Sequence, residues 1–310
     1  MLYVDRRLAR PLPARVASSR PARPALPARL ACLLPAALAL ISLGLACSAP
    51  DESARDLPIP QERRVILLGM DGLDWEVLNP LMESGEVPGF VRLRDEGAWG
   101  ELRSLEPLFS PIVWTSISTG QAPEDHGIRS FTVETAAGRI PVTSNLRRAR
   151  TLWDILSALG RRVGVIGWWG SWPAEEVNGF LCSDRAWPIT MGPEGWPVTS
   201  AGEDAAAGMQ RRTYPEGLMA EIRPDLVFRD DLQEEQLSLV EVRGALGTTG
   251  GTGPSVADAY AKDISFQRIG RRLYEKRRPQ FFSIYFDLTD VMAHYFWAHY
   301  KYYRSFAYGE

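Results

Sequence analysis

Three places in the chain set an acid, a hydroxyl or an imidazole in a local pattern that could put it to chemical use. Asp71 ends the apolar run VILLGM (Val65 to Met70) and is followed by Gly72. Ser110 stands directly before Pro111, at the head of an apolar stretch that closes at Gly120. Asp290 and His294 lie four residues apart, just beyond a second apolar run, Phe281 to Phe286. A carboxylate at a strand end and a carboxylate–imidazole pair are ligands suited to a divalent cation, and a positioned serine hydroxyl is a potential nucleophile. Each place also has an ordinary reading: a turn at Asp71-Gly72, a helix cap at Ser110, and surface polarity at Asp290 and His294.

The surrounding elements separate these readings in part. VILLGM is short, apolar and bounded by glycine, the pattern of a strand buried on both faces in a parallel sheet. A hairpin at Asp71-Gly72 would need a second strand at once, but LDWEVLNPLM has helical spacing (Leu73, Val77, Leu78, Leu81). In open sheets of this kind ligands bind at the carboxyl ends of strands, where Asp71 would sit. A short helix is expected over Pro88 to Glu96 and a strand near Gly100 to Ser104. Ser110 reads as an N-cap with Pro111 at the first helical position, and Gly120 as the stop. The N–H groups at that start would form an anion site.

Further along, Thr151 with Asp154 caps a helix that closes at Gly160, and Val163 to Gly167 is a buried strand. Trp168, Trp169 and Trp172 follow it, better suited to packing than to a pocket mouth. Periodicity weakens from about 184 to 254, which reads as an insertion or cap over the site. GTTGGTGPS (Gly247 to Ser255) has no lysine and no preceding strand, so it is a linker rather than a phosphate loop. A helix follows from Ser255, with Asp258 completing its cap, to about Arg277. If the chain is helical from Thr289, Asp290 and His294 lie about 40° apart on one face. The alternation of helices and strands is that of a layered α/β domain.

Composition narrows the function classes. The 310 residues are 45% hydrophobic and 24% charged, enough for a packed domain. The net charge of −3 is uneven: Met1 to Ala46 holds seven arginines against one aspartate, +6, leaving −9 for the rest. That balance argues against a nucleic-acid partner. The arginine-rich lead and the apolar run ACLLPAALALISLGLAC (Ala31 to Cys47) read as an export signal that stays outside the folded domain. LGLAC is similar to a bacterial lipobox, with Gly44 where leucine is usual, so Cys47 is the expected lipid anchor. Residues 1–47 are then a signal, 48–62 a Pro-rich tether and 63–310 the domain. The implied location is a membrane-anchored lipoprotein, periplasmic or otherwise extracytoplasmic. Beyond the signal only Cys182 remains, which leaves no disulfide framework and no cysteine metal site.

Taken in order, the motifs resemble the alkaline phosphatase superfamily, and within it the type I phosphodiesterase/nucleotide pyrophosphatase family. The GxDG strand end matches Asp71 as a metal ligand. The Ser or Thr heading a helix that ends in TG, before PxxHGI (Pro123 to Ile128), matches Ser110 as nucleophile and ligand. The D-x-x-x-H pair matches Asp290 and His294. The resemblance covers about Val65 to Tyr303, including TLWDIL, VGVIGWW and VNG. It implies an alkaline-phosphatase-like, mostly parallel sheet with helices on both faces and a cap. Phe131 stands where nucleotide pyrophosphatases have a phosphate-contacting asparagine, which points away from a nucleotide. The S-D-H-G strand end and late histidine of the family are not matched before Glu310, so an unfinished core is expected.

The resemblance implies hydrolysis of a small phosphate ester through a phosphoserine, with two divalent ions, Zn²⁺ or alternatively Mn²⁺. Asp71 would serve one ion, and Asp290 with His294 the other. Sulfatases of the superfamily carry C-x-P-S-R, which is absent. Head-group transfer, or a lipid-anchored binder without catalysis, are the alternatives.

Overall fold

The computed structural model describes residues 4–5, 63–136, 138–188, 190–191, 197–199, 209–236 and 256–308. In chain order the elements used below are β1 (Val65–Met70), α1 (Trp75–Glu83), α2 (Pro88–Glu96), α3 (Ser110–Thr119) and α4 (Pro123–His126). A hairpin, β2 (Thr132–Thr135) and β3 (Gly138–Pro141), leads to α5 (Leu152–Ala158) and then β4 (Val163–Ile166) and β5 (Gly179–Cys182). β6 (Thr213–Tyr214), α6 (Leu218–Ile222), α7 (Val256–Arg277), β7 (Phe281–Phe286) and α8 (Leu288–Tyr308) complete them.

Five strands form the central sheet in the order β6-β5-β4-β7-β1. β5, β4, β7 and β1 run parallel, and β6 closes the far edge antiparallel to β5. Parallel neighbours need crossovers, and helices supply them on both faces. On one face Ile166, Phe180, Phe282 and Ile284 pack against α6 and α7 through Leu218, Ile222, Ala261, Phe266, Ile269 and Leu273. Gly270 lets α7 approach closely, since a Cβ there would lie 2.7 Å from Ile284 Cδ1. On the other face Val163, Val165, Leu181, Phe281 and Tyr285 meet Trp114 of α3, Trp153 of α5 and Trp168. Trp168 is fully buried, edge-on to Trp114 and Trp153, so the tryptophans after β4 serve packing.

Local signals explain the element ends. Thr151 and Asp154 make the expected capping box. Gly120 (φ 66) ends α3 in the left-handed conformation, its N–H bonded to Ser116 O. Asp74 caps α1 by accepting from Glu76 N–H.

Three expectations are corrected. β1 is not buried on both faces: it is the sheet's outer strand, and Ile66 and Leu68 are each 49% exposed. α7 packs across β4 and β7 and leaves β1 uncovered on that side. Gly100 to Ser104 is not a strand; only Gly97–Ala98 pairs, antiparallel to Val4–Asp5. Within 184–254, β6 extends the main sheet, and Leu218, Ile222, Leu226, Val227 and Leu232 belong to the core. Residues 192–196, 200–208 and 237–255 lie outside the described residues, as do Cys47 and the tether. Among the described residues no helix is long and apolar enough to cross a membrane.

Candidate functional site

Asp71 and Asp290 come together because β1 and β7 are paired in parallel. The register sets Met70 against Phe286, and Asp71 N–H donates to Phe286 O at 2.9 Å, so both strands end at one level. Asp71 is then held from two directions. Tyr285 Oη donates to Asp71 Oδ2 at 2.6 Å, and Thr289 Oγ1 donates to the Asp71 main-chain carbonyl. Gly72 adopts φ +65, and a Cβ there would lie 2.6 Å from Asp290 Cα and 2.9 Å from its nitrogen. Only glycine admits that approach.

Asp290 and His294 lie on one face of α8, as the four-residue spacing requires, with His294 Nε2 3.5 Å from Asp290 Oδ2. The imidazole is largely exposed, whereas the carboxylate is half-buried. Burial, then the Asp71 carboxylate beside it, pushes the Asp290 carboxyl up to about 6, with His294 pulling the other way. A carboxyl raised in this way by burial and a neighbouring carboxylate is suited to a nearby positive charge.

The start of α8 is fixed from α7. Asp263 accepts the N–H groups of Asp287 (3.3 Å) and Leu288 (3.0 Å), acting as a cap supplied by another helix. Lys262 pairs with Asp287 Oδ2. Burial, then the Asp287 carboxylate, raises Asp263 to about 7. Asp287 Oδ1 is buried with no hydrogen-bond partner among the described residues. On the other side, Asp184 is partly buried at the end of β5 and accepts N–H bonds from Trp172 (2.8 Å) and Gly170 (3.3 Å).

Ser110 is not the N-cap of α3: it is the first helical residue, Phe109 holds the cap position, and no side chain makes a cap bond. Its hydroxyl is therefore not consumed in capping. The expected row of free N–H groups shrinks as well, because Pro111 has none and Ile112 and Val113 both donate to Phe109 O. Among the described residues no hydrogen bond joins Ser110 to Asp71, Asp290 or His294. The link is through packing. Trp114, one turn after Ser110, stacks edge-on to Tyr285 at 4.8 Å, and a Cβ at Gly69 would lie 2.7 Å from its ring.

His126 of the HGI triplet has a structural task. Its Nδ1 accepts the Ile128 N–H, so the neutral ring carries its proton on Nε2, 2.9 Å from Ser116 Oγ. Burial favours that neutral form. Phe131 is buried beside Phe109 (5.6 Å) and Trp169 (5.7 Å), an apolar wall next to the residue before Ser110.

Two carboxylates, an imidazole and a hydroxyl match the donor chemistry of Zn²⁺ or Mn²⁺. The number is incomplete: among the described residues no three His, Cys, Asp or Glu side chains group so as to hold an ion. Sequence reasoning missed Tyr285, Thr289, Lys262 and Asp263. Tyr285 alone left a trace, a polar-tipped aromatic on the same strand face as Phe281, two residues before the strand-end acid.

The chain matches the family model for type I phosphodiesterase / nucleotide pyrophosphatase over residues 65–306. Its structure is similar to two structures of phosphonoacetate hydrolase from Sinorhizobium meliloti 1021, one with phosphonoacetate and one with phosphonoformate. Each is 17% identical and covers 72% of this chain, with TM-scores of 0.38 and 0.36. The chain spans 46% of the length of those proteins. No curated protein matches it.

Proposed function

The chain belongs to the type I phosphodiesterase/nucleotide pyrophosphatase family, and from that premise we propose that it is the nucleophile-bearing part of a metal-dependent phosphoric-ester hydrolase. The observation that carries the reading is the meeting of Asp71 with Asp290 and His294 at the ends of paired strands, on the packing layer that also holds Ser110.

In this reading Ser110 Oγ attacks the phosphorus of a small phosphate ester. The new bond is Oγ–P, the bond broken joins phosphorus to the ester oxygen, and the leaving alcohol takes up a proton. Water then cleaves the phosphoserine, releasing phosphate or a phosphomonoester and restoring the hydroxyl. Asp71, with Ser110, would hold one divalent ion, and Asp290 with His294 a second. A bound Zn²⁺ or Mn²⁺ supplies Lewis acidity that lowers the hydroxyl's pKa and offsets negative charge. The chain's own residues do the rest: Pro111 fixes the helix start, and the Ser110 hydroxyl beside it is not taken up in capping. The Phe109–Phe131 wall stands where nucleotide pyrophosphatases have a phosphate-contacting amide, which favours a substrate other than a nucleotide. The site works outside the cytoplasm, with Cys47 lipidated and anchoring the chain to a membrane.

The test uses the full-length protein with added Zn²⁺ or Mn²⁺, on p-nitrophenyl phosphate and bis-p-nitrophenyl phosphate. Turnover is expected on at least one, with Ser110→Ala reducing it at least about 10³-fold, as loss of a covalent nucleophile requires. Acid-quenched enzyme should carry phosphate on the Ser110 peptide by mass spectrometry. Unchanged turnover in Ser110→Ala, or no labelled peptide in active enzyme, overturns the assignment.

A further inference from the structure

Asp71 has two carboxylate oxygens, and the structure treats them differently. Oδ2 accepts from the Tyr285 phenol at 2.6 Å. The phenol cannot swing away: Tyr285 is 2% exposed and sits between Trp114 (centroids 4.8 Å, near-perpendicular) and Trp168 (6.2 Å). Three residues past the strand, Thr289 Oγ1 holds the carbonyl of the same aspartate. The main chain of Asp71 is tied to β7 as well, through its N–H to Phe286 O. The aspartate is thus gripped at its nitrogen, its carbonyl and one side-chain oxygen, all from the segment that ends in Asp290.

We propose that Tyr285, assisted by Thr289, is a positioning residue for Asp71, which fixes the carboxylate so that Oδ1 alone is presented to a cation. The inference rests on the metal-site reading above. A buried phenol must find some acceptor, and a purely structural role would spend the bond on satisfying Tyr285 itself. Three features favour positioning. The acceptor is the strand-end acid rather than a nearby carbonyl. A second hydroxyl grips the same residue. The tryptophan holding the phenol, Trp114, lies on the helix that Ser110 heads. Donors of this kind orient ligands, and their loss commonly weakens metal affinity about 10- to 100-fold.

The test is Mn²⁺ binding to the full-length protein, by isothermal titration and by the loss of the free-ion EPR signal, without substrate. Tyr285→Phe should weaken Mn²⁺ binding at least about tenfold. In an Asp71→Ala background the same substitution should cost nothing further, because the residue it positions is gone. A structural role predicts equal loss in both backgrounds and would overturn the proposal, as would unchanged affinity in a folded Tyr285→Phe protein. Should that variant not fold, Thr289→Val, similar in shape and lacking only the hydroxyl, must weaken Mn²⁺ binding in the same direction; unchanged affinity there refutes the proposal. The two readings fail separately. If Asp71→Ala leaves Mn²⁺ binding intact, the metal site itself is wrong; if it weakens binding while Tyr285→Phe leaves the affinity unchanged, only the positioning role is.

Discussion

Gly72 offers the sharpest perturbation, because its cost can be worked from geometry alone. Replacing it with alanine does two things. At φ +65 a Cβ meets its own backbone, at about 1–2 kcal/mol. The same Cβ would stand 2.6 Å from Asp290 Cα and 2.9 Å from Asp290 N, backbone atoms that no rotamer change can move aside. Relief requires the start of α8 to shift, and overpacking of that kind costs about 1–3 kcal/mol. Part of the loss is returned by the stiffer unfolded chain, about 0.4–1 kcal/mol, so Gly72→Ala should destabilise by about 1–5 kcal/mol, centred on ~3 kcal/mol. Gly160 is the control: its φ is +72 and nothing lies within 4 Å of a Cβ there. Gly160→Ala should therefore show the conformational cost alone, about 1 kcal/mol. Urea unfolding of both variants without metal gives the difference, and Mn²⁺ titration of Gly72→Ala should show weakened binding as Asp290 is pushed from Asp71. If Gly72→Ala costs no more than Gly160→Ala, the close backing of the two acids is refuted.

Two further predictions follow from the same chemistry. Asp263 and Asp290 are raised in the folded state, from an ordinary 3.8 to about 7 and about 6, so the native state binds more protons than the unfolded chain between those values. Stability of the metal-free protein should thus fall as pH rises from about 4 to about 7 and level off above. Asp263 faces Asp287 and Lys262, and Asp263→Asn should flatten the upper part of the slope; urea midpoints at pH 4 to 8 that rise instead would contradict the burial of these acids. For the anchor, Cys47→Ala should abolish incorporation of labelled palmitate and release the protein from the membrane fraction, whereas retained label would place lipidation elsewhere or nowhere.

Much of the architecture was legible because its signals are local. Pro88–Glu96 and Phe281–Phe286 fall where proline, glycine and apolar periodicity place them. Asp290 and His294 meet because helix geometry makes a four-residue spacing a contact. Part of what was not legible depends on segments far apart in the chain. Nothing within VILLGM tells a central strand from an outer one; the coverage of Ile66 and Leu68 depends on where α7 crosses. The stretch after Gly100 carries Leu102, Leu105 and Leu108 at intervals of three, not two, and forms no ladder among the described residues. The error of one position at Ser110 is the ordinary slippage of helix starts, but it matters chemically, since a capping hydroxyl is engaged and one at the first helical position is not.

The pairing of β1 with β7 also explains why the candidate site cannot be divided into independent halves. With Gly69 opposite Tyr285, the glycine leaves room for Trp114, the tryptophan pins the phenol, and the phenol reaches Asp71. A slip of one residue would turn Tyr285 to the α7 face, where Ile284 now packs, and would break all three contacts at once. Lys262 and Asp263 hold the other end, fixing the start of α8 from a helix that has no ligand of its own. The positions of Asp71 and Asp290 are therefore set by one register and one helix start. A substitution that disturbs either should move both acids together, and metal affinity and stability should fall in parallel across such variants, whereas removal of the largely exposed His294 imidazole should lower affinity alone.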